Sequence, residues 1–279
     1  MAQGILENFG DVHEDSADFT CGNQVISART CFGPEQAGKT INEDALLAIR
    51  CHDGSRITWA CAIADGVGTS LLSSVGSRVS TWTALAGLFE SANRRSPESQ
   101  ALDAMRSAKD AIRTVADALE EDLRDLRFKP KHLPAPAYRH AIKQLSCLQT
   151  TLCLVWCCGR SVFIASVGDS GALLSTNAVP EVPLFFPDVS SSHVKAIGPK
   201  LERIELDQWQ QISVRRLSLA VFTDGVAKSL VEKYGSQLDE FSLDTFIRTN
   251  SAADLLDTLT GSTSEEAADN MSLLVVRAS

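Results

Sequence analysis

Five apolar runs in this chain each stop abruptly on a carboxylate, and a fold must either gather those stops in one place or solvate each separately. They are Ile41-Asn42-Glu43-Asp44, Ala62-Ile63-Ala64-Asp65-Gly66, Ser166-Val167-Gly168-Asp169-Ser170, Val221-Phe222-Thr223-Asp224-Gly225 and Ala268-Asp269-Asn270-Met271. Two carboxylates about 4 Å apart repel by roughly 4 kcal/mol at an effective dielectric of 20, so converging acids need a cation among them. Oxygen-only donor sets suit Mg²⁺ or Mn²⁺. Any one Asp-Gly or Asp-Ser pair is explained by its preference for turns. Five in matching context point instead to a shared site for a pair of divalent ions.

The runs between these stops read as strands in two blocks. Val25 to Phe32, Ala45 to Cys51 and Ile57 to Ala64 make the first, with Asp53-Gly54 as a hairpin signal, and are expected to form an antiparallel meander. Leu72, Val75, Val79, Trp82, Leu85 and Phe89 recur at helical spacing, predicting a helix over Leu71 to Phe89. Ser96-Pro97-Glu98 starts another that runs to about Phe128, with Pro at a first-turn position. Tyr138 to Leu145 predicts a further turn or two of helix. Thr150 to Cys158, Ser161 to Val167 and Gly171 to Ser175 form the second block, read as one continuing ladder. Thr176 to Gln208, with Pro180, Pro183, Pro187 and a Ser190-Ser191-Ser192 run, is expected to lie over the surface. Gln211 to Arg215, Leu217 to Phe222 and Ser272 to Val276 complete the strands, with three short helices between Val226 and Leu259. Two blocks of strands, each followed by helices, predict an α+β architecture of two stacked antiparallel sheets with helices on both outer faces. Residues 1–24 are acidic and weakly patterned, and are expected to form an N-terminal arm outside a single domain spanning 25–279.

A balance of 26 basic against 35 acidic residues, −9 in formal charge, argues against a nucleic-acid partner. The eight cysteines have neither disulfide-framework nor zinc spacing. With no basic-then-apolar start and no long apolar run, no membrane association and a cytoplasmic location are expected.

Gly33-Pro34-Glu35-Gln36-Ala37-Gly38-Lys39-Thr40 matches the phosphate-loop pattern letter for letter, so nucleotide binding through residues 33–40 is an alternative. It requires a buried parallel strand before the loop and a helix after it. The alternation of Ile26, Ala28 and Thr30 against Ser27, Arg29 and Cys31 suits a half-exposed antiparallel strand.

In order, Asn42-Glu43-Asp44, Ala64-Asp65-Gly66, Gln149-Thr150-Thr151, Val167-Gly168-Asp169-Ser170, Thr223-Asp224-Gly225 and Asp269-Asn270-Met271-Ser272 resemble the motif series of the type 2C metal-dependent serine/threonine protein phosphatases. The resemblance covers roughly residues 25 to 277 and implies that family's four-layer α-β-β-α sandwich, with 25–279 as the catalytic domain. It implies that Asp65 bridges two Mn²⁺ or Mg²⁺ ions, that Glu43 and the Gly66 carbonyl complete one site, and that Asp224 and Asp269 serve the other. Asp44 resembles a group that orients water, Asn270 one that supports its neighbour. Asp169 matches a position that in some members helps hold a weaker third metal. Paired ions can activate a shared water for in-line attack on phosphorus, so no protein nucleophile is required. The implied substrate is a phosphorylated protein, and the implied counterpart a cognate serine/threonine kinase.

Two positions depart from that pattern. Val67 stands where many members carry a histidine that protonates the leaving oxygen. Lys39 stands near a position where an arginine commonly grips the phosphate, and offers only a point charge. Both leave open a catalytically weak pseudophosphatase acting as a binding module.

Overall fold

A computed structural model of the chain describes residues 10–31, 41–51, 55–67, 71–92, 95–128, 135–145, 148–176, 179–187, 194–213, 218–234, 250–260 and 269–278. The strands among them are β1 (Gly10–Glu14), β2 (Ser16–Cys21), β3 (Gln24–Cys31), β4 (Ala45–Cys51), β5 (Ile57–Ala64), β6 (Leu152–Cys158), β7 (Ser161–Val167), β8 (Gly171–Thr176), β9 (Val179–Phe185), β10 (Gln208–Ser213), β11 (Ser218–Phe222) and β12 (Met271–Ala278). The helices are α1 (Leu71–Ser91), α2 (Pro97–Phe128), α3 (Ala135–Gln144), α4 (Asp224–Tyr234) and α5 (Ala252–Thr260).

The strands pair into two sheets, ordered β1-β4-β5-β6-β7-β10 and β2-β3-β12-β11-β8-β9, and every pairing is antiparallel. Strand alternation then distributes the apolar residues. On β4 and β5, Leu46, Ala48, Trp59, Cys61 and Ile63 face the second sheet, where they meet Ile26, Val221, Leu274 and Val276. Their neighbours Leu47, Ile49, Ala60, Ala62 and Ala64 face outward, under Leu85, Leu88 and Phe89 of α1 and Met105 and Ile112 of α2. The second sheet repeats this, burying Ala220, Phe222, Leu273 and Val275 under Leu230 of α4 and Leu255, Leu256 and Leu259 of α5. Central strands covered on both faces must be apolar at every position, which is why these read as unbroken runs. The result is the expected four layers. Each large side chain so buried stabilises the fold by about 1.5–3 kcal/mol.

Caps and pivots follow local chemistry. The Ser96 hydroxyl accepts the Ser99 N–H at 3.3 Å and so caps α2, with Pro97 as its first helical residue. The indole N–H of buried Trp59 donates to Gln24 Oε1 at 2.9 Å and ties β5 to β3 across the core.

Several expectations are corrected. The expected N-terminal arm contains β1 and β2, which pair with β4 and β3 and so belong to both sheets. Asp15 between them has φ 59° and turns the chain from one sheet to the other, a conformation Asp tolerates better than most side chains. The meander fails at its first step, because β3 lies in the second sheet and only β4 and β5 pair. Similarly β8 does not extend the ladder of β7 but crosses to pair with β11 and β9. The stretch expected to be surface contains β9 and an isolated bridge from Ile197 to Thr150. Of the three short helices, α4 and α5 are observed; residues 235–249 lie outside the described residues. For the phosphate-loop alternative, residues 33–40 also lie outside them. Its flanks, however, are the antiparallel β3 and the strand β4, where that motif needs a parallel strand and a helix. The context the motif requires is absent.

Candidate functional site

Register alone gathers the acids. Ala45 pairs with Ala64 and Leu152 with Val167, so Glu43 and Asp44 before β4, Asp65 after β5, Thr150 and Thr151 before β6, and Asp169 after β7 lie at one end of the first sheet. Phe222 pairs with both Leu273 and Gly171, so Asp224 after β11 and Asp269 before β12 lie at one end of the second. The two ends coincide. Asp44 Oδ2 accepts hydrogen bonds from Thr223 Oγ1 at 3.0 Å and Ser272 Oγ at 2.8 Å, both from the opposite sheet.

Each acid is held by a different device. Buried Glu43 is fixed by α1: Ser73 Oγ donates to its Oε1 at 3.1 Å and Ser77 Oγ to its carbonyl at 2.5 Å. The Asp65 carbonyl accepts Thr150 Oγ1 at 2.7 Å and the Thr151 N–H at 2.8 Å. Asp224 opens α4, and Lys228 one turn later places its Nζ 2.6 Å from Asp224 Oδ2 and 2.8 Å from Asp269 Oδ2. Asp269 Oδ1 accepts the Asn270 N–H at 2.9 Å. Asp169 is half-buried beside a cavity of about 290 Å³ lined in part by Phe185, Phe186, Val194 and Lys195.

The charges are in mutual contact. Burial pushes Asp44 above the usual carboxylate range; hydrogen bonds with Asp65 and Ser272 oppose the rise, and the charges of Asp224 and Asp269 add to it. Burial, then Asp44 and Asp224, push Asp65 well above that range. Asp169 is pushed up to about 6 by burial and by Asp224. Burial alone would lower the pKa of Lys228, but Asp224 and Asp269 more than reverse this and hold it above the ordinary lysine value. Among the described residues, Asp44 Oδ1 and Asp224 Oδ1 are buried with no hydrogen-bond donor. A divalent cation suits such oxygens. As they stand, no three of the described His, Cys, Asp or Glu side chains are grouped to hold one ion. Asp44 and Asp65 engage each other, and Lys228 engages Asp224 and Asp269.

Glu43, Asp44, Asp65, Gly66, Asp169, Asp224 and Asp269 thus share one end of the sandwich, while Lys39 lies outside the described residues. No role had been assigned to Thr223, Ser272, Ser77 or Lys228. Ser73 and Ser77, four apart on α1, share the helix side that meets Glu43. Buried thiols are held protonated, with Cys153 pushed up to about 12. His13 stacks on Phe19 at the far edge, and His140 is exposed on α3. No helix among the described residues is long and apolar enough to cross a membrane.

Thr223 is the joint of this arrangement, since its hydroxyl donates to Asp44 and accepts the Ser272 N–H at 3.0 Å. Thr223→Val keeps the shape, strands the Ser272 N–H and takes from Asp44 Oδ2 one of its two donors. The expected cost is about 2 kcal/mol, with Tm falling by about 4–8 °C in thermal unfolding. An unchanged Tm would show that the clasp contributes nothing.

The family model described as protein phosphatase 2C matches residues 35–261. Among solved structures, the Mycobacterium tuberculosis serine/threonine phosphatase PstP/Ppp is similar at TM-score 0.62 and 17% identity, covering 91% of this chain and 98% of that one. The catalytic domain of PstP in complex with two manganese ions gives TM-score 0.58 at 17% identity, covering 91% and 97%. PppA, a regulatory component of the type VI secretion system in Pseudomonas aeruginosa, gives 0.55 at 17%, covering 93% and 99%. No curated protein sequence matches. At these identities the structures speak for the fold, and the family match over most of the sequence speaks for kinship: the chain belongs to the protein phosphatase 2C family.

Proposed function

We propose that the chain is a divalent-metal-dependent phosphatase that removes phosphate from phosphoserine and phosphothreonine in proteins and so opposes a serine/threonine kinase. The observation that supports this most is the gathering of Asp44, Asp65, Asp224 and Asp269 at one end of the sandwich, where the charges of Asp224 and Asp269 add to the rise of Asp44 and Asp65. Glu43, Asp65, the Gly66 carbonyl, Asp224 and Asp269 would bind Mn²⁺ or Mg²⁺, and the donor-less Asp224 Oδ1 fits such a cation. When bound, the metal lowers the pKa of water toward neutrality and neutralises phosphoryl charge. Asp44, pinned through Oδ2, offers Oδ1 as the acceptor that orients the attacking water. Lys39 attracts the substrate phosphate, and half-buried Asp169 borders a cavity of about 290 Å³ beside the acids.

Val67 cannot donate a proton, so the leaving oxygen must depart without help from that position. The expected result is Mn²⁺-dependent release from an aryl phosphate, abolished by chelation, with a phosphothreonine peptide slower by about 10²- to 10⁴-fold. Release that ignores the chelator would refute the proposal. The binding-module reading is favoured by one observation, the placement of Lys228 among the acids. Metal binding without phosphate release from either substrate would establish it.

A further inference from the structure

Lys228 has no role in the series of acids, yet its ammonium stands 2.6 Å from Asp224 and 2.8 Å from Asp269. Its ammonium takes Oδ2 of Asp224 and Oδ2 of Asp269, and the other Asp269 oxygen already accepts the Asn270 N–H. Asp269 therefore has both oxygens engaged, whereas Asp224 keeps Oδ1, buried and without a donor among the described residues. A lysine in the first turns of a helix is opposed by the helix dipole, so this placement needs the two carboxylates to hold it. Asp followed by Lys at i,i+4 is also the favourable order along a helix. The spacing fixes the ammonium to the same backbone segment as one of its partners. A divalent ion seated on the same oxygens would meet a like charge at contact distance.

We propose that Lys228 is the built-in cation of the Asp224–Asp269 half of the cluster, and that this chain takes a single Mn²⁺ or Mg²⁺ ion, in the half formed by Glu43, Asp65 and the Gly66 carbonyl with Asp224 Oδ1 in support. This rests on the metal-dependent reading above and reduces to one the pair of ions that the sequence resemblance implies. The fixed charge of Lys228 then takes over the neutralising role of a second ion without exchanging with solvent. Methionine at this position has similar reach and no charge, so it frees both Oδ2 atoms. Arginine keeps the charge and the block.

The test is a count of metal. Metal-stripped full-length protein is dialysed against Mn²⁺, the bound metal is measured by atomic emission, and the electron paramagnetic resonance spectrum is recorded. The wild type is expected to bind one manganese per chain, with the six-line signal of an isolated ion. Lys228→Met should bind two with a spin-coupled signal, and Lys228→Arg one. A wild type that binds two ions overturns the inference and leaves the phosphatase reading standing, and that measurement needs no variant to fold. A folded Lys228→Met that still binds one ion overturns it as well. A wild type that binds no manganese removes this inference together with the metal-dependent reading on which it rests.

Discussion

Asp65→Asn is expected to abolish Mn²⁺-dependent phosphate release and, in the metal-stripped protein, to raise the melting temperature. The activity loss follows from its central place among the acids and should reach at least about 10³-fold, the scale of losing a principal electrostatic contact. The stability gain follows from the same place. Burial and the neighbouring Asp44 and Asp224 push the folded-state pKa of Asp65 far above that of an unfolded chain, and Asp44 is raised alongside it. A carboxyl raised in this way lends its stability in full below the ordinary carboxylate pKa and loses it as pH climbs through the folded value. The metal-free wild type should therefore melt lower at pH 8 than at pH 5. Asparagine carries no charge to repel and offers an N–H to Asp44, so Asp65→Asn should lose less over that interval. A gain of about 1 kcal/mol at pH 8 corresponds to a Tm rise of about 2–4 °C at this size, smaller or absent at pH 5. Calorimetry at both pH values, with and without Mn²⁺, measures it. A metal-free variant less stable than wild type at pH 8 would mean that protein donors alone satisfy the carboxylate, and that the cluster is not built around a cation.

What the sequence made legible divides along a physical line. Strands β4 and β5 were read with their observed bounds because burial on both faces leaves an uninterrupted apolar run with sharp polar ends. Sheet membership was not legible: nothing local to β3 or β8 says whether the chain will turn back beside the previous strand or cross to the other sheet. Two of the crossings between sheets, at Asp15 and at Gly168-Asp169-Ser170, are marked by left-handed backbone at Asp15 and Gly168. Strand β2 had a signal, since Ala17 and Phe19 are buried between exposed Ser16, Asp18 and Thr20, but its polar composition hid so short an alternation. The acids could be read because every one flanks the end of an apolar strand. Lys228 could not, because its meaning depends on Asp269, which comes 41 positions later. The glycines after Asp65 and Asp224 are needed for close approach rather than for an unusual backbone conformation. Neither has positive φ. A Cβ on Gly66 would lie 2.7 Å from the Ser73 carbonyl oxygen and 2.8 Å from that of Glu43, so this glycine lets three backbone segments meet beneath the site.

Gly225 makes the sharper case, and Gly225→Ala is expected to cost more stability than any other single methyl group added around the acids. Two effects compete. Gly225 is the second residue of α4 and has no left-handed backbone, so helix propensity alone favours alanine by about 1 kcal/mol. Against this, the added Cβ would stand 2.0 Å from the Asn270 carbonyl oxygen and 3.2 Å from Asp269 Cβ. Asn270 cannot easily yield, because Met271 pairs with Cys31 and the Thr223 N–H donates to the Ser272 carbonyl at 3.1 Å. Backbone pressed against backbone in a packed interior costs about 1–3 kcal/mol or more, and here that exceeds the gain in propensity. The net expectation is a loss of about 2–3 kcal/mol, seen as a Tm lower by about 4–12 °C. The strain must be relieved by parting the head of α4 from the Asp269–Asn270 segment. That movement displaces Asp224, whose Oδ1 supports the metal, so Mn²⁺ affinity should fall together with stability. A variant that melts higher than wild type and binds Mn²⁺ as tightly would show that propensity governs this position and that the close approach of the two segments is not what holds the acids together.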